Sequence, residues 1–112
     1  MELSKALNKN RICILKENTK EKVILELIEL ITRSGEIKGI AGLKESIFYR
    51  EKLMSTGIGL GIAVPHVRIE GVYQPIMAIG ISHEGIPDYV SIDDQIIKIV
   101  VMIVAGKNQH RE

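Results

Sequence analysis

Two long apolar segments in the second half of the chain limit the folds open to it. One lies within residues 75–82 and the other within residues 96–104, and both are rich in isoleucine. Each is far shorter than the ~20 residues that a helix needs to cross a bilayer. Short continuous apolar runs are typical of buried strands, so we interpret both segments as largely buried strands. The linker between them, residues 83–94, is polar and rich in turn formers and has no room for a long helix. The segments therefore predict two core strands joined by a turn-rich connection.

The first half of the chain adds helices to these strands. A short apolar strand is expected at Arg11–Leu15, and Thr19 is placed to cap a helix whose apolar residues recur at helical spacing until Gly35. A second helix is expected from about Leu43 to Met54, and a short strand at Ile62–Val64. The order β-α-α-β-β-β predicts an α/β fold in which helices flank a mixed β-sheet.

The composition narrows the class of partner. With 112 residues, 46% of them apolar, the chain is long enough for one compact domain, residues 1–112, and too apolar for a disordered tail. The balance of 15 Lys and Arg against 14 Asp and Glu, with 4% aromatic residues, predicts no nucleic acid partner.

Cys13, the single cysteine, lies in an apolar run and is interpreted as an inert core thiol. The polar N-terminus argues against a signal peptide and membrane insertion, so we expect a cytoplasmic protein.

Alternating glycines precede His66, the histidine of greatest chemical interest. Residues 57–61 read Gly-Ile-Gly-Leu-Gly, and amides that lack a nearby Cβ can surround a phosphate. The dinucleotide and phosphate-loop fingerprints are both incomplete, so by itself the segment is better explained as a structural turn. His66 follows directly after Pro65 and is expected near these amides, a place suited to phosphoryl chemistry. An isolated histidine is otherwise more often a surface or core residue.

Other catalytic and metal sites find little support in the sequence. His66, His83 and His110 are far apart, so we expect no metal site. The Gly-x-Ser-x-Gly motif of serine hydrolases is absent. We interpret Asp93 and Asp94 as a solvated turn, and His83 as an exposed turn residue.

The residues around His66 combine into a longer motif. Phe48-Tyr49-Arg50-Glu51 is followed at residues 55–66 by Ser-Thr-Gly-Ile-Gly-Leu-Gly-Ile-Ala-Val-Pro-His, and later by Gly85-Ile86 and His110. This pattern resembles the type-2 enzyme IIA domains of the bacterial phosphoenolpyruvate-dependent phosphotransferase system. That family includes the fructose- and mannitol-class phosphocarriers and the nitrogen-regulatory enzyme IIA proteins. The resemblance spans nearly the whole chain and implies the mannitol-type enzyme IIA fold.

The resemblance also implies the roles of individual residues. His66 would accept a phosphoryl group from the phosphorylated histidine-containing phosphocarrier protein and pass it to a cysteine of an enzyme IIB domain, with no dissociable cofactor. Arg50 would stabilise the charge of the phosphoryl group, and His110 would orient the ring of His66 or donate a hydrogen bond to the phosphoryl oxygens. Thr56 and the amides around Gly57, Gly59 and Gly61 are candidate donors to the same oxygens, or serve the turn alone. Docking partners are expected on an apolar patch with contributions from Ile58, Leu60, Val64 and Val67.

The C-terminal end of the chain leaves several explanations open. The family continues into further helical structure beyond the position of His110, so a chain ending at Glu112 is expected to lack the C-terminal helical part. Exposed apolar surface, a partner chain such as a homo-oligomer, or truncation would each account for that.

Three functions also stay open. The chain would serve sugar uptake, or it would be a regulatory binding module whose partner depends on the phosphorylation of His66, or it would be an inactive relative that keeps the fold.

Overall fold

A computed structural model describes residues 7–33, 40–70, 72 and 74–107 of the chain. Within these residues the chain forms two α-helices and a six-stranded sheet. The elements follow one another as β1 (Leu7–Ile14), α1 (Lys20–Thr32), α2 (Ile40–Leu53), β2 (Gly57–Gly59), β3 (Ile62–Ala63), β4 (His66–Ile69), β5 (Ile76–Ile86) and β6 (Ile97–Gly106).

The sheet is mixed, as the sequence predicts. Its strand order is β1-β5-β6-β3-β2, and β4 also pairs with β6. The two long apolar strands, β5 and β6, are antiparallel neighbours at the centre. Strand β1 is parallel to β5, and β3 and β4 are both parallel to β6. The α/β fold class, with helices against a mixed sheet, is therefore confirmed.

Three local predictions need correction. The glycine segment is not an irregular loop, because β2 pairs antiparallel with β3 and the two form a hairpin. His66 follows the short strand β3 as expected, but it is itself the first residue of a further strand, β4, which was not predicted. His83 is exposed, yet it belongs to β5 rather than to a turn, since that strand continues to Ile86.

Helix α1 begins and packs as its sequence pattern indicates. The side chain of Thr19 accepts a hydrogen bond from the amide of Lys22 at 3.4 Å and caps the first turn. The apolar stripe of the helix is buried, namely Val23, Ile24, Leu27, Ile28 and Ile31. The helix ends at Thr32, and Gly35, the predicted stop, lies outside the described residues.

Both helices contribute to one hydrophobic core on one face of the sheet. Leu43 and Ile47 of α2 join the buried stripe of α1 there, against Ala78 of β5 and Met102 of β6. Cys13 is half-buried and packs against this core, and burial raises the pKa of its thiol. A raised pKa lowers the thiolate fraction, which agrees with an unreactive cysteine.

The other face of the sheet carries exposed isoleucines. Ile14 of β1, Ile81 of β5 and Ile99 of β6 lie in one cross-strand row, and both Ile14 and Ile99 are exposed. His66 lies on this same face, because it pairs with Ile103 whereas its neighbour Val67 packs against the helix-side core. The site histidine thus points away from the core.

None of the helices in the described ranges has the length and apolar character needed to cross a membrane.

Candidate functional site

The imidazole of His66 is exposed, and among the described residues it makes one hydrogen bond. Its Nδ1 lies 2.8 Å from the carbonyl oxygen of Val64. A carbonyl oxygen can only accept, so Nδ1 must carry the hydrogen and donate it. In the neutral ring the lone pair is then on Nε2. The geometry therefore leaves Nε2 as the available nucleophile.

The hairpin of β2 and β3 sets the path of the chain towards His66. Its turn has three consecutive residues with positive φ: Gly59 at 109°, Leu60 at 59° and Gly61 at 77°. Glycine adopts this conformation without strain, whereas leucine does so at a cost. Gly57 is required for a different reason, because a Cβ there would lie 2.3 Å from the carbonyl oxygen of Val90. The alternating glycines are thus explained by the backbone that they form.

Asp93 holds the tip of this hairpin. Its carboxylate accepts hydrogen bonds from the amide of Leu60 at 2.9 Å, the hydroxyl of Ser91 at 2.8 Å and the amide of Gln95 at 3.1 Å. These three donors lower the pKa of Asp93, the amide of Leu60 having the largest effect. The interpretation of Asp93 as an ordinary solvated turn residue is incomplete, since it connects the hairpin to the segment before β6.

A buried polar network lies beneath the start of the hairpin. The hydroxyl of Thr56 donates to Oε2 of Glu51 at 2.5 Å, and its amide donates to Oε1 at 3.3 Å. Because the single hydroxyl hydrogen of Thr56 is used in this way, the hydroxyl of Tyr89, at 2.7 Å, donates to Thr56. Lys20 completes the group with an ion pair to Glu51 at 3.0 Å and a position over the ring of Tyr89. Burial raises the pKa of Tyr89 far above its ordinary value.

These contacts bear on the candidate donors to a phosphoryl group. The amide and hydroxyl of Thr56 both donate to Glu51, and the amide of Gly57 lies 3.4 Å from the hydroxyl of Ser55. The role of Thr56, Gly57, Gly59 and Gly61 in binding phosphoryl oxygens stays a prediction.

Arg50 and His110 differ in what can be said of them. Arg50 is half-buried near the end of α2, and its guanidinium donates to the carbonyl oxygen of Met54 at 3.1 Å. This bond satisfies one carbonyl of the helix C-terminus and leaves the other guanidinium hydrogens for further acceptors. His110 lies outside the described residues. Its place beside His66 stays a prediction.

The expected docking residues separate into two pairs. Ile58 and Leu60 are exposed, Leu60 at 87%. Val64 and Val67 are half-buried, and Val67 packs against the core. Sequence reasoning missed further exposed apolar side chains next to the hairpin, and we call the whole exposed group the hairpin patch: Met54, Ile58, Leu60, Val90 and Ile92. Two hydrogen bonds join its parts, from Ser55 to the carbonyl of Val90 and from the amide of Ile92 to the carbonyl of Gly57.

The model of one protein family matches nearly the whole chain. Residues 5–111 match the family described as phosphoenolpyruvate-dependent sugar phosphotransferase system, EIIA 2. The chain belongs to this enzyme IIA family. The resemblance of residues 55–66 to the type-2 enzyme IIA motif is thereby confirmed.

Individual proteins are similar to this enzyme IIA chain over all or nearly all of its length. The fructose-specific EIIABC component of Bacillus subtilis is 37% identical over 100% of the chain, which covers 18% of that protein. The crystal structure of the nitrogen regulatory protein IIA-Ntr from Neisseria meningitidis has a TM-score of 0.86 and 27% identity, with 96% of this chain and 73% of that chain covered. Enzyme IIA mannitol of Escherichia coli, in complex with phosphorylated enzyme IIB mannitol, has a TM-score of 0.75 and 28% identity, with 94% and 74% covered. The chain spans less than two thirds of the length of three curated relatives that it matches, namely 18%, 61% and 62%.

Three residues of the site were missed or undervalued by sequence reasoning. Glu51 lies in a helix and Tyr89 in a turn. Both contact Thr56, which is 5 residues from Glu51 and 33 residues from Tyr89 in the sequence. The one available signal was that Glu51 stands beside Arg50 in the motif. Asp93 gave no signal of its contact with Leu60.

Proposed function

We propose that this enzyme IIA chain is a phosphoryl carrier of sugar uptake in the cytoplasm, with His66 as the residue that carries the phosphoryl group. The observation that supports this most directly is the hydrogen bond from Nδ1 of His66 to Val64, in a side chain that is exposed. It leaves the lone pair of Nε2 free to attack a donor that approaches from solvent. We place the attachment of the phosphoryl group at Nε2.

The phosphoryl group is transferred in two steps. In the first, Nε2 forms a bond to phosphorus while the phosphorus–nitrogen bond of the donor's phosphohistidine breaks, and the donor imidazole leaves with the electron pair. In the second, a cysteine thiolate of enzyme IIB forms a bond to phosphorus, and Nε2 regains its lone pair. Throughout, the carbonyl of Val64 accepts the Nδ1 hydrogen and stabilises the positive charge that the ring gains as the first bond forms.

The partners follow from the same proposal. The donor is the phosphorylated histidine-containing phosphocarrier protein, and the acceptor is an enzyme IIB domain. Both dock on the hairpin patch, whose most exposed members are Leu60 at 87% and Ile92 at 82%. Arg50 and His110 assist by binding the transferring phosphoryl oxygens, for which a guanidinium is well shaped.

The test is phosphorylation of the purified protein with phosphoenolpyruvate, enzyme I and the histidine-containing phosphocarrier protein. We expect intact-mass analysis to find one added phosphoryl group that is stable in alkali and labile in acid. His66→Ala removes it, whereas His83→Ala, an exposed histidine of β5, serves as the matched control and retains it. Phosphorus–nitrogen NMR correlation then assigns the attachment to Nε2. Unchanged phosphorylation of His66→Ala, or none in folded wild-type protein, would refute the proposal.

A second candidate function is regulation, and a specific observation favours it. The nitrogen regulatory protein superposes with the higher of the two TM-scores, 0.86 against 0.75. In that case the phosphorylation of His66 would select which target protein binds. Transfer of the phosphoryl group to an enzyme IIB domain supports transport, whereas retention of the phosphoryl group together with phosphorylation-dependent capture of a target supports regulation.

A further inference from the structure

We propose that Glu51 is a positioning residue that sets the orientation and tautomer of the His66 ring through the backbone of Thr56 and Val64. This inference rests on the proposed function of His66. It concerns a buried carboxylate whose described partners are Thr56 and Lys20.

The first link joins Glu51 to Thr56. Both residues are buried, with 7% and 4% of their surface exposed. One carboxylate oxygen accepts from the Thr56 amide at 3.3 Å and the other from its hydroxyl at 2.5 Å, so the carboxylate holds Thr56 at two points. Lys20 lies 3.0 Å from the carboxylate and compensates its charge in the interior.

The second link passes from Thr56 to His66. The carbonyl of Thr56 accepts a hydrogen bond from the amide of Val64 at 3.0 Å, across the base of the hairpin. The carbonyl of the same Val64 accepts from Nδ1 of His66 at 2.8 Å. Amide and carbonyl belong to one residue, so a displacement of Thr56 turns the carbonyl that orients the ring.

The chemical effect concerns which ring nitrogen carries the lone pair. A neutral histidine side chain in water favours the tautomer with hydrogen on Nε2, which would leave no lone pair there. The Val64 carbonyl selects the opposite tautomer by accepting from Nδ1. If that carbonyl moves, the ring returns to the solvent preference and also rotates more freely. Both changes reduce the fraction of protein that is ready to accept a phosphoryl group, and displacements near 1 Å can cost about 100-fold in rate.

Two conservative substitutions separate positioning from simple stabilisation. Glu51→Gln keeps the length of the side chain and one oxygen acceptor for Thr56, but it loses the charge that pairs with Lys20. Glu51→Asp keeps the charge but is one methylene shorter and draws back from Thr56. If Glu51 acts by holding Thr56, Gln is the better replacement; if it acts only as the partner of Lys20, Asp is better.

The experiment measures three quantities in each variant. Two-bond proton–nitrogen NMR at a pH where imidazole is neutral gives the His66 tautomer, rapid-quench phosphorylation gives the rate, and thermal unfolding gives the stability. We expect Glu51→Asp to shift the His66 tautomer towards hydrogen on Nε2 and to lower the rate by about 10- to 100-fold. Glu51→Gln should keep the Nδ1-protonated ring and most of the rate although it loses stability. Tyr89→Phe is the matched control, because it removes a buried hydrogen bond to the Thr56 hydroxyl without touching the Thr56 backbone.

The outcomes are distinct. A wild-type tautomer in Glu51→Asp, or rate losses that follow the thermal stabilities of Gln, Asp and Tyr89→Phe alike, would overturn the inference. The tautomer is read in protein that has not been phosphorylated. A wild-type chain that takes up no phosphoryl group would therefore refute the proposed function, while the nitrogen spectra of the variants still decide the role of Glu51.

Discussion

Gly57→Ala and Gly42→Ala are the same chemical change at two sites where the structure predicts opposite effects on stability. A Cβ at Gly57 would lie 2.3 Å from the carbonyl oxygen of Val90 and 2.8 Å from the Cα of Ser91, and both are backbone atoms. Among the described residues, a Cβ at Gly42, in α2, would meet no heavy atom within 4 Å apart from its chain neighbours and the backbone of its own helix. The first site must rearrange, whereas the second gains a better helix former.

The magnitudes follow from these contacts. Ordinary contact begins at 3.4 Å, so the turn at Val90 must retreat by about 1 Å, which costs roughly 1–3 kcal/mol as overpacking. That retreat also breaks the 3.2 Å hydrogen bond from Ile92 to the carbonyl of Gly57, worth about 0.5–1.5 kcal/mol. Alanine recovers about 0.4–1 kcal/mol by restricting the unfolded chain. We expect Gly57→Ala to lose about 2–3 kcal/mol, and Gly42→Ala to gain about 0.5–1 kcal/mol.

Urea unfolding followed by far-ultraviolet circular dichroism measures both free energies, with equal slopes required for the comparison. In thermal unfolding, the loss at Gly57 corresponds to a fall in Tm of about 8–12 °C for a domain of this size. The reasoning would be refuted by a Gly57→Ala variant as stable as the wild type. A Gly42→Ala variant destabilised to the same extent would also contradict it, since the cost would then not come from the close contact with Val90.

Three further predictions concern the site. Leu60→Asn should leave stability unchanged or raise it, because asparagine tolerates the φ of 59° better than leucine; it should raise the KM for the phosphorylated donor protein, and an unchanged KM would remove Leu60 from the docking surface. Arg50→Ala should slow phosphorylation strongly in a domain that still unfolds cooperatively, and wild-type single-turnover kinetics would contradict its role. Folding lowers the pKa of Asp93, so the ionised carboxylate stabilises the folded protein above the ordinary aspartate pKa near 3.9, and this stabilisation is lost as the pH falls through the lower folded value. Asp93→Asn should therefore reduce the fall in the free energy of unfolding that urea titrations measure below about pH 4. An unchanged acid profile would show that the three donors do not hold the carboxylate.

The sequence predicted the elements whose signal is local. The apolar stripe of α1 and the Thr19 cap lie within one helix, and the core strands β5 and β6 are continuous apolar runs. The hairpin was missed because alternating glycines carry no side-chain periodicity, and its pairing depends on distant contacts such as that of Gly57 with Ser91.

The site was predictable only where a motif named its residues. His66 and Arg50 were identified from their spacing in the family motif, and the structure places His66 at the start of β4. The network of Glu51 and Tyr89 could not be predicted, because Tyr89 approaches Thr56 only when the turn after β5 lies against the hairpin. Burial of a charged group depends on such packing rather than on the residues next to it in sequence.

The pairing of β3 and β4 with the single strand β6 limits how this region can change in length. Ala63 pairs with Val100 and His66 with Ile103, so three positions separate the pairs on both strands. One inserted or deleted residue between Ala63 and His66 would exchange the two sides of β4, turning His66 towards the helices and Val67 outwards. Connections between strands usually accept such changes, but the Val64-Pro65 connection does not have that freedom. Active homologues should therefore keep the number of residues between Ala63 and His66 constant.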